Sequence, residues 1–226
     1  MANIKQPAFL FDLDGTLIDS VYQHVLSWQE ALEEAGISLS VWRIHRRIGM
    51  SGGLFMNALL RETGREISPE RVEELQRGHA EAYARRSAKI GPLPGACELL
   101  ERLSEMGVPW AIATSGRMET AGTPLRNLGV DPQKTVVVTR DQVRYAKPDP
   151  DLFIEAAERL GVDVSETLVV GDSIWDMLAA RRARALGIGL LSGGYGEDEL
   201  ERGGAFRVYE DPADLLERID EVGVRQ

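Results

Sequence analysis

From residue 90 onward, short apolar runs alternate with helical patterns, and that alternation confines the chain to an α/β fold with a parallel sheet. The apolar runs cover 108–113, 135–139, 167–170 and 187–191, with an earlier one at 8–11. Helical spacing covers 95–106, 118–128, 150–160 and 174–185. A helix crossing over between successive strands makes them parallel and covers both sheet faces, which is why the runs are continuously apolar. Ligands in such sheets bind off the carboxyl ends of the strands.

Residues 18–90 break the alternation. The stretches 20–36, 40–48, 52–64 and 68–88 carry helical spacing and no strand pattern. Ser68-Pro69-Glu70 reads as a helix start, with the serine as cap and proline in the first turn. Gly91-Pro92-Leu93-Pro94-Gly95 reads as the hinge by which the chain returns. The expected division is therefore a core from 1–17 and 91–226 with a helical insertion at 18–90.

The net charge of −10 and pI near 4.9 argue against nucleic acid or an anionic membrane as partner. No apolar run reaches membrane-spanning length and the start of the chain lacks the form of a signal peptide. The single cysteine, Cys97, rules out an intrachain disulfide and fits a reducing, cytoplasmic setting.

The most informative stretch runs from Phe9 to Ser20. Its apolar strand ends in Asp12 and Asp14, one residue apart, followed by Gly15. A continuing strand would point both carboxylates to one face; a turn at the glycine would swing Asp14 away and leave its carbonyl near Asp12. Carboxylates this close repel unless a cation or shared proton compensates, and hard oxygen ligands suit Mg²⁺. The same Asp-x-Asp-Gly also suits an ordinary strand-ending turn. Three further motifs follow the same rule. Thr114-Ser115-Gly116 closes the 108–113 strand with a hydroxyl and backbone donors. Lys147 opens Lys147-Pro148-Asp149-Pro150, and is one of four lysines against 22 arginines. Gly171-Asp172-Ser173-Ile174-Trp175-Asp176 ends a strand with two carboxylates four residues apart, near the start of a helix whose dipole favours negative charge.

Together these motifs resemble, in content and order, those of the haloacid dehalogenase superfamily, within it the phosphoglycolate phosphatase and β-phosphoglucomutase group. The resemblance spans essentially the whole chain. It implies a Rossmann-like doubly wound parallel sheet core with an inserted α-helical cap domain at 18–90, which sets substrate specificity. It implies a Mg²⁺-dependent phosphomonoester hydrolase acting on a small phosphorylated metabolite through an aspartyl-phosphate. Asp12 would be the nucleophile and Asp14 the general acid/base, while Thr114 and Lys147 would hold the phosphoryl oxygens with Ser115 and Gly116. The metal would take Asp12, Asp14 through its carbonyl, and Asp172, with Asp176 behind them orienting water or Lys147. The cation should keep Asp12 ionised and leave Asp14 free to hold a proton.

The rival within the family is a phosphosugar mutase. His24 and Trp28 resemble the mutases' cap entry, but Gly52 stands where they carry arginine after Gly-x-Ser, and Gly171 stands where they carry glutamate. Pyrophosphatase, phosphonatase, dehalogenase and non-catalytic readings fit less well: the sole cap lysine is Lys89, at the far end of the insertion, and none of Asp12, Asp14, Lys147 and Asp172 is lost. In the cap, His24 is expected beside Asp14 and Arg47 near the substrate, with a solvated face of Arg43, Arg46 and Arg47 the alternative. Trp28 and Trp42 are expected in the cap core, and His79 has no motif around it. The assembly is expected to be a monomer or homodimer.

Overall fold

The computed structural model describes residues 6–63 and 68–225. Six strands form one parallel sheet: β1 (Ala8–Phe11), β2 (Trp110–Ala113), β3 (Val137–Val138), β4 (Thr167–Gly171), β5 (Leu186–Leu190) and β6 (Ala205–Tyr209). Their order is β3-β2-β1-β4-β5-β6, so the chain runs outward from β1 to one edge, then returns to its other side. β1 is flanked directly by β2 and β4, in register Phe11↔Ile112 and Phe11↔Val170. The carboxyl ends of β1, β2 and β4 are thus neighbours at the reversal point of the strand order, where doubly wound sheets bind ligands.

Four helices, α1 (Val21–Glu34), α2 (Val41–His45), α3 (Gly52–Thr63) and α4 (Pro69–Arg86), lie in the chain between β1 and the Gly91–Gly95 turn. The remainder cover the sheet: α5 (Ala96–Glu105), α6 (Met118–Asn127), α7 (Asp151–Leu160), α8 (Ile174–Ala183), α9 (Glu197–Gly203) and α10 (Pro212–Glu217).

β1 is buried on both faces. Phe9 and Phe11 point into a cluster with Leu99, Leu103, Leu125 and Leu215, from α5, α6 and α10. Leu10, on the opposite face, packs with Phe153, Ala156 and Ala179, from α7 and α8. Each large apolar side chain removed from water in this way contributes roughly 1.5–3 kcal/mol. The short central strand is therefore rigidly held, and so is the residue that follows it.

The insertion has a core of its own around Val25, Trp28, Leu32, Ile44, Phe55 and Leu75. Ser68 caps α4, accepting from the Arg71 N–H at 3.4 Å, with Pro69 in the first turn. The two passages between core and insertion run side by side: Leu93 N–H donates to the Leu17 carbonyl at 2.9 Å and Asp19 N–H to Gly91 at 3.0 Å.

Three differences from the sequence reading have physical causes. β6 and its flanking short helices α9 and α10 were not expected: β6 is an edge strand, half-exposed along much of its length, and lacks the apolar run of a buried strand. Trp42, expected in the cap core, stands exposed at 62%, because α2 is only five residues long and Ile44 alone turns inward. The expected 52–64 helix ends at Thr63, and Gly64 lies outside the described residues. Among the described residues, no helix is long and apolar enough to cross a membrane.

Candidate active site

The backbone puts Asp12 immediately beyond β1, its N–H bonded to the Val170 carbonyl at 2.9 Å. Asp172 follows β4, and Thr114 follows β2 with its N–H on Val138 at 3.0 Å. All three side chains are buried, at 3%, 4% and 1% exposure, in a polar pocket at the sheet's rim. Lys147, fully buried, reaches into it from the loop before α7: its ammonium bonds the Asp12 carboxylate and stands 2.8 Å from Asp176 Oδ1. The Lys147–Pro148 peptide is cis.

Asp176 is held from behind. Its Oδ2 accepts from Ser173 N–H at 3.1 Å and from Ser173 Oγ at 2.5 Å, closing the capping box that starts α8. Asp12, Asp172 and Asp176 offer carboxylate oxygens within 4.8 Å of one another. Thr16 Oγ donates to Asp172 Oδ1 at 3.2 Å. Glycines make the room: Gly15 has φ +86°, and a Cβ on Gly193 would lie 1.7 Å from Asp172 Oδ2. No side chain larger than hydrogen fits at 193 while Asp172 stays in place.

The Asp14 carboxylate does not join this cluster. The chain turns at Gly15, and Asp14 Oδ1 accepts from Ser20 Oγ at 2.6 Å and from His24 Nε2 at 3.2 Å. Of the two geometries open from the sequence, the turn prevails.

Three buried carboxylates against one ammonium leave the pocket strongly negative. Burial foremost, then repulsion from Asp176 and Asp14, raises Asp12 to about 7 in spite of Lys147. Asp172 is also held well above the ordinary carboxylate range, by burial and then by Asp176 and Asp12. Burial works against the Lys147 ammonium as well, but its two carboxylate partners outweigh that and keep its pKa above normal. Asp14 moves the other way: burial would raise it, and the His24 charge and the hydrogen bonds from His24 and Ser20 outweigh burial and lower it. The order expected from the sequence, Asp12 ionised and Asp14 protonated, is thus reversed by this protein environment alone. A pocket of excess buried negative charge built of hard oxygen donors fits a divalent cation, which would restore the ionised form of Asp12.

Above the pocket lies a cleft of about 780 Å³ between core and insertion. From the core, Asp12, Asp14, Thr114, Ser115 and Gly116 line it. Gly116 N–H is bonded to Thr114 Oγ at 2.9 Å, while Ser115 Oγ is buried with no hydrogen-bond partner in the structure. A buried hydroxyl without a partner is costly and suits an anion that would take its proton. From the insertion come His24, Arg47 and the α4 residues Glu73, Gln76, Arg77 and His79. Arg47 also donates to the Arg43 carbonyl at 2.5 Å.

The expected solvated arginine face divides. Arg46 bonds Glu199 (3.1 Å from Nη1 to Oε2), and its guanidinium lies 4.6 Å over the Tyr195 ring. The Arg46 carbonyl accepts from Trp175 Nε1 at 3.2 Å and from Tyr195 OH at 3.0 Å. His45 Nε2 donates to the Gly193 carbonyl at 2.8 Å, and Ser51 N–H to Lys147's carbonyl at 3.0 Å. The segment around the end of α2 is therefore fastened to the Lys147 loop, to the start of α8 beside Asp176, and to the Gly193–Tyr195 loop against Asp172.

Thr16, Ser20 and His79 were not assigned roles from sequence. Thr16 and Ser20 stand inside the first motif, where a hydroxyl beside a carboxylate was the available signal. His79 had only helical spacing to offer: it lies four residues before Tyr83 on α4, on the face that meets His24 and Trp28 of α1.

Comparison with known proteins agrees with this geometry. Residues 7–184 match the family model of haloacid dehalogenase-like hydrolases. A crystal structure of a hydrolase from Pseudomonas syringae superposes with a TM-score of 0.95 at 57% identity, covering 97% of this chain and all of that one. Hexitol phosphatase A of Escherichia coli is 33% identical over 73% of this chain and 74% of its own length. Phosphoglycolate phosphatase of Agrobacterium fabrum is 30% identical over 83% of this chain and 81% of its own.

Proposed function

The chain belongs to the haloacid dehalogenase-like hydrolases, and we propose that it hydrolyses a phosphomonoester of a small metabolite. The observation that carries this reading is the buried Asp12–Lys147–Asp176 chain lying beside Asp172 and under a polar cleft. Asp12 attacks phosphorus in line, forming an aspartyl-phosphate as the bond to the leaving oxygen breaks. Lys147, the Thr114 and Ser115 hydroxyls and the backbone N–H groups around Gly116 hold the equatorial oxygens as charge develops. Asp14, ionised in the free protein, would take up a proton as the phosphate anion binds beside it, give that proton to the leaving oxygen, then take one from the water that opens the acyl phosphate.

Asp12, Asp172 and the Asp14 main-chain carbonyl would hold Mg²⁺, which supplies charge to neutralise the phosphoryl group. Asp176 is left out because Ser173 occupies one of its oxygens and Lys147 the other. The helical insertion 18–90 acts as the specificity cap. Its cleft exceeds the needs of a two-carbon acid and accommodates an organic part of hexitol or hexose size.

The mutase reading draws on the contact between His24 and Asp14 and is opposed by Gly52, where an arginine would be needed. Phosphate release from a panel of phosphoglycolate, hexose and hexitol phosphates, a nucleotide, pyrophosphate and a phosphonate tests both. Mg²⁺-dependent release abolished in Asp12→Asn is the expected result. Interconversion of sugar phosphates without release would move the chain to the mutases, and turnover retained by Asp12→Asn would remove the nucleophile.

A further inference from the structure

The loop between β5 and α9 forms one wall of the carboxylate pocket, and its backbone is soft. Residues 193, 194 and 196 are glycines, with Gly194 at φ +87°. Glycine leaves a chain more conformational freedom than any other residue. The loop's fit against Asp172 is tight all the same. Thr16 Oγ bonds Asp172 Oδ1, whereas Oδ2 sits in a slot between two glycines: a Cβ would lie 2.5 Å from it on Gly15 and 1.7 Å from it on Gly193. If Gly193 moves away, that oxygen is free to turn.

Ser192 Oγ donates to the Gly15 carbonyl at 2.6 Å, which ties the two walls of the slot together. The next tie comes from the insertion. Gly193 is buried, and a buried backbone carbonyl requires a donor. His45 Nε2, at the end of α2, supplies it at 2.8 Å. A carbonyl only accepts, so Nε2 carries a hydrogen whether the ring is neutral or charged, and the bond runs the same way in either state. The ring is located by stacking on Tyr22 of α1 (5.5 Å, 10°) and by a tilted contact with Tyr195 (5.7 Å, 31°). A Cβ on Gly194 would come within 3.0 Å of both His45 Nε2 and the Tyr22 hydroxyl, so both side chains lie directly on the loop.

We infer that His45 is a positioning residue for the metal: by holding the Gly193 carbonyl it closes the slot on Asp172 Oδ2 and keeps that carboxylate in the orientation that receives Mg²⁺. This rests on Asp172 being a metal ligand of the proposed phosphatase. His45 belongs to the insertion and Asp172 to the core, so the seating of the insertion and the affinity for the cation are linked. Such linkage is reciprocal. Whatever His45 adds to Mg²⁺ affinity, bound Mg²⁺ adds to the hold between this loop and the end of α2.

The test reads metal binding itself, on the full chain without substrate. Mg²⁺ dissociation constants are taken from displacement of Mn²⁺, whose free form is counted by electron paramagnetic resonance. His45→Phe keeps an aromatic ring between Tyr22 and Tyr195 and removes the donor. His45→Gln puts an amide N–H near the place of Nε2. The Mg²⁺ dissociation constant should rise on the order of threefold to tenfold in His45→Phe and return to within about twofold of wild type in His45→Gln. A folded His45→Phe with wild-type Mg²⁺ affinity overturns the inference, even if it melts lower in EDTA, because His45 is then a structural contact only. A His45→Gln that binds as weakly as His45→Phe overturns it too. A second arm needs no variant: in the wild type, saturating Mg²⁺ should slow amide hydrogen exchange at 46–48 and 191–196 more than in α10, which packs on α5 and β6. Equal slowing in all three segments overturns the inference. Asp172→Ala separates the two levels. Undiminished Mg²⁺ binding in that variant would put the metal elsewhere and remove the premise along with the inference, whereas binding lost there but unchanged in His45→Phe refutes only the part given to His45.

Discussion

Replacing Lys147 by methionine removes an ammonium while keeping the length and apolar stem of the side chain. The wild-type pocket holds three carboxylates against this one positive charge; the variant would hold them against none. At 2.8 Å from Asp176 the attraction lost is about 6 kcal/mol for an effective dielectric near 20. The ammonium's own release from burial offsets part of it, so the net cost should be about 3–5 kcal/mol, typical of breaking one side of a buried pair. For a chain of this size that corresponds to a melting temperature lower by roughly 6–20 °C in EDTA.

The pH dependence has a definite sign. Asp12 sits at about 7 in the folded protein against 3.8 unfolded, so between those values the folded state binds the additional proton and stability falls as pH rises. Without Lys147 the upper edge of that window moves higher, and the defect should deepen from pH 5 to pH 8. Mg²⁺ at a hundred times its dissociation constant should return about 2.7 kcal/mol. Thermal melts of both proteins across that pH range, with EDTA and with Mg²⁺, provide the readout. A variant melting within about 2 °C of wild type at pH 8 in EDTA, or a defect that grows on acidification, would refute this electrostatic account.

Two further substitutions probe the surroundings of the pocket. Gly193→Ala places a methyl 1.7 Å from Asp172 Oδ2, so Asp172 must shift, and the Mg²⁺ concentration for half-maximal activity should rise about tenfold or more, read by metal titration of phosphate release. Arg46→Ala removes the ion pair with Glu199, whose partners are 38% and 39% exposed, so its stability cost should stay within about 1 kcal/mol. Its kcat/KM should nonetheless fall several-fold if the pair helps seat the cap; unchanged kcat/KM with a large loss of stability would reverse that assignment.

The sheet was legible because a buried parallel strand must be apolar on both faces, and β1, β2, β4 and β5 are. β6 escaped because an edge strand need satisfy no such rule. The clustering of the central candidate residues was legible for a related reason: Asp12, Thr114 and Asp172 follow those same buried strands, and a polar residue directly after an apolar run stands out. Asp14 was half legible, since the glycine after it left two orientations open and only the folded chain, with Ser20 and His24 placed, decides between them. The contacts of His79 with His24 and of Arg46 with Glu199 were illegible. They join segments far apart in sequence, and periodicity assigns a helix face without saying what that face meets. Trp42 failed for the converse reason, because its apolar character argued for burial that a five-residue helix cannot provide.

The contacts of the segment after α2 also bear on where the proposed cap would read a substrate. Sequence reasoning looked to Arg47 and its neighbours, in the loop between α2 and α3. Yet the loop is largely occupied with the core: the Arg46 carbonyl takes two donors, Ser51 N–H bonds Lys147's carbonyl, and a Cβ on Gly49 would come within 2.9 Å of Ser173 Oγ. A loop tied to the motifs proposed to hold the phosphoryl group is a joint, and varying it would disturb Lys147 and Ser173 as well. Among the described residues, α4 shares no hydrogen bond with the loops that carry Lys147 and Asp172, though it touches α6, which follows the Thr114 loop. It pairs extensively with α1, caps itself with Ser68, and turns Glu73, Gln76 and Arg77 toward the cleft. These side chains offer both donors and acceptors, which matches a polyhydroxylated organic part better than a simple carboxylate. On the proposed reading, recognition would vary along α4 while the joint at Arg46–Ser51 holds the insertion against the core.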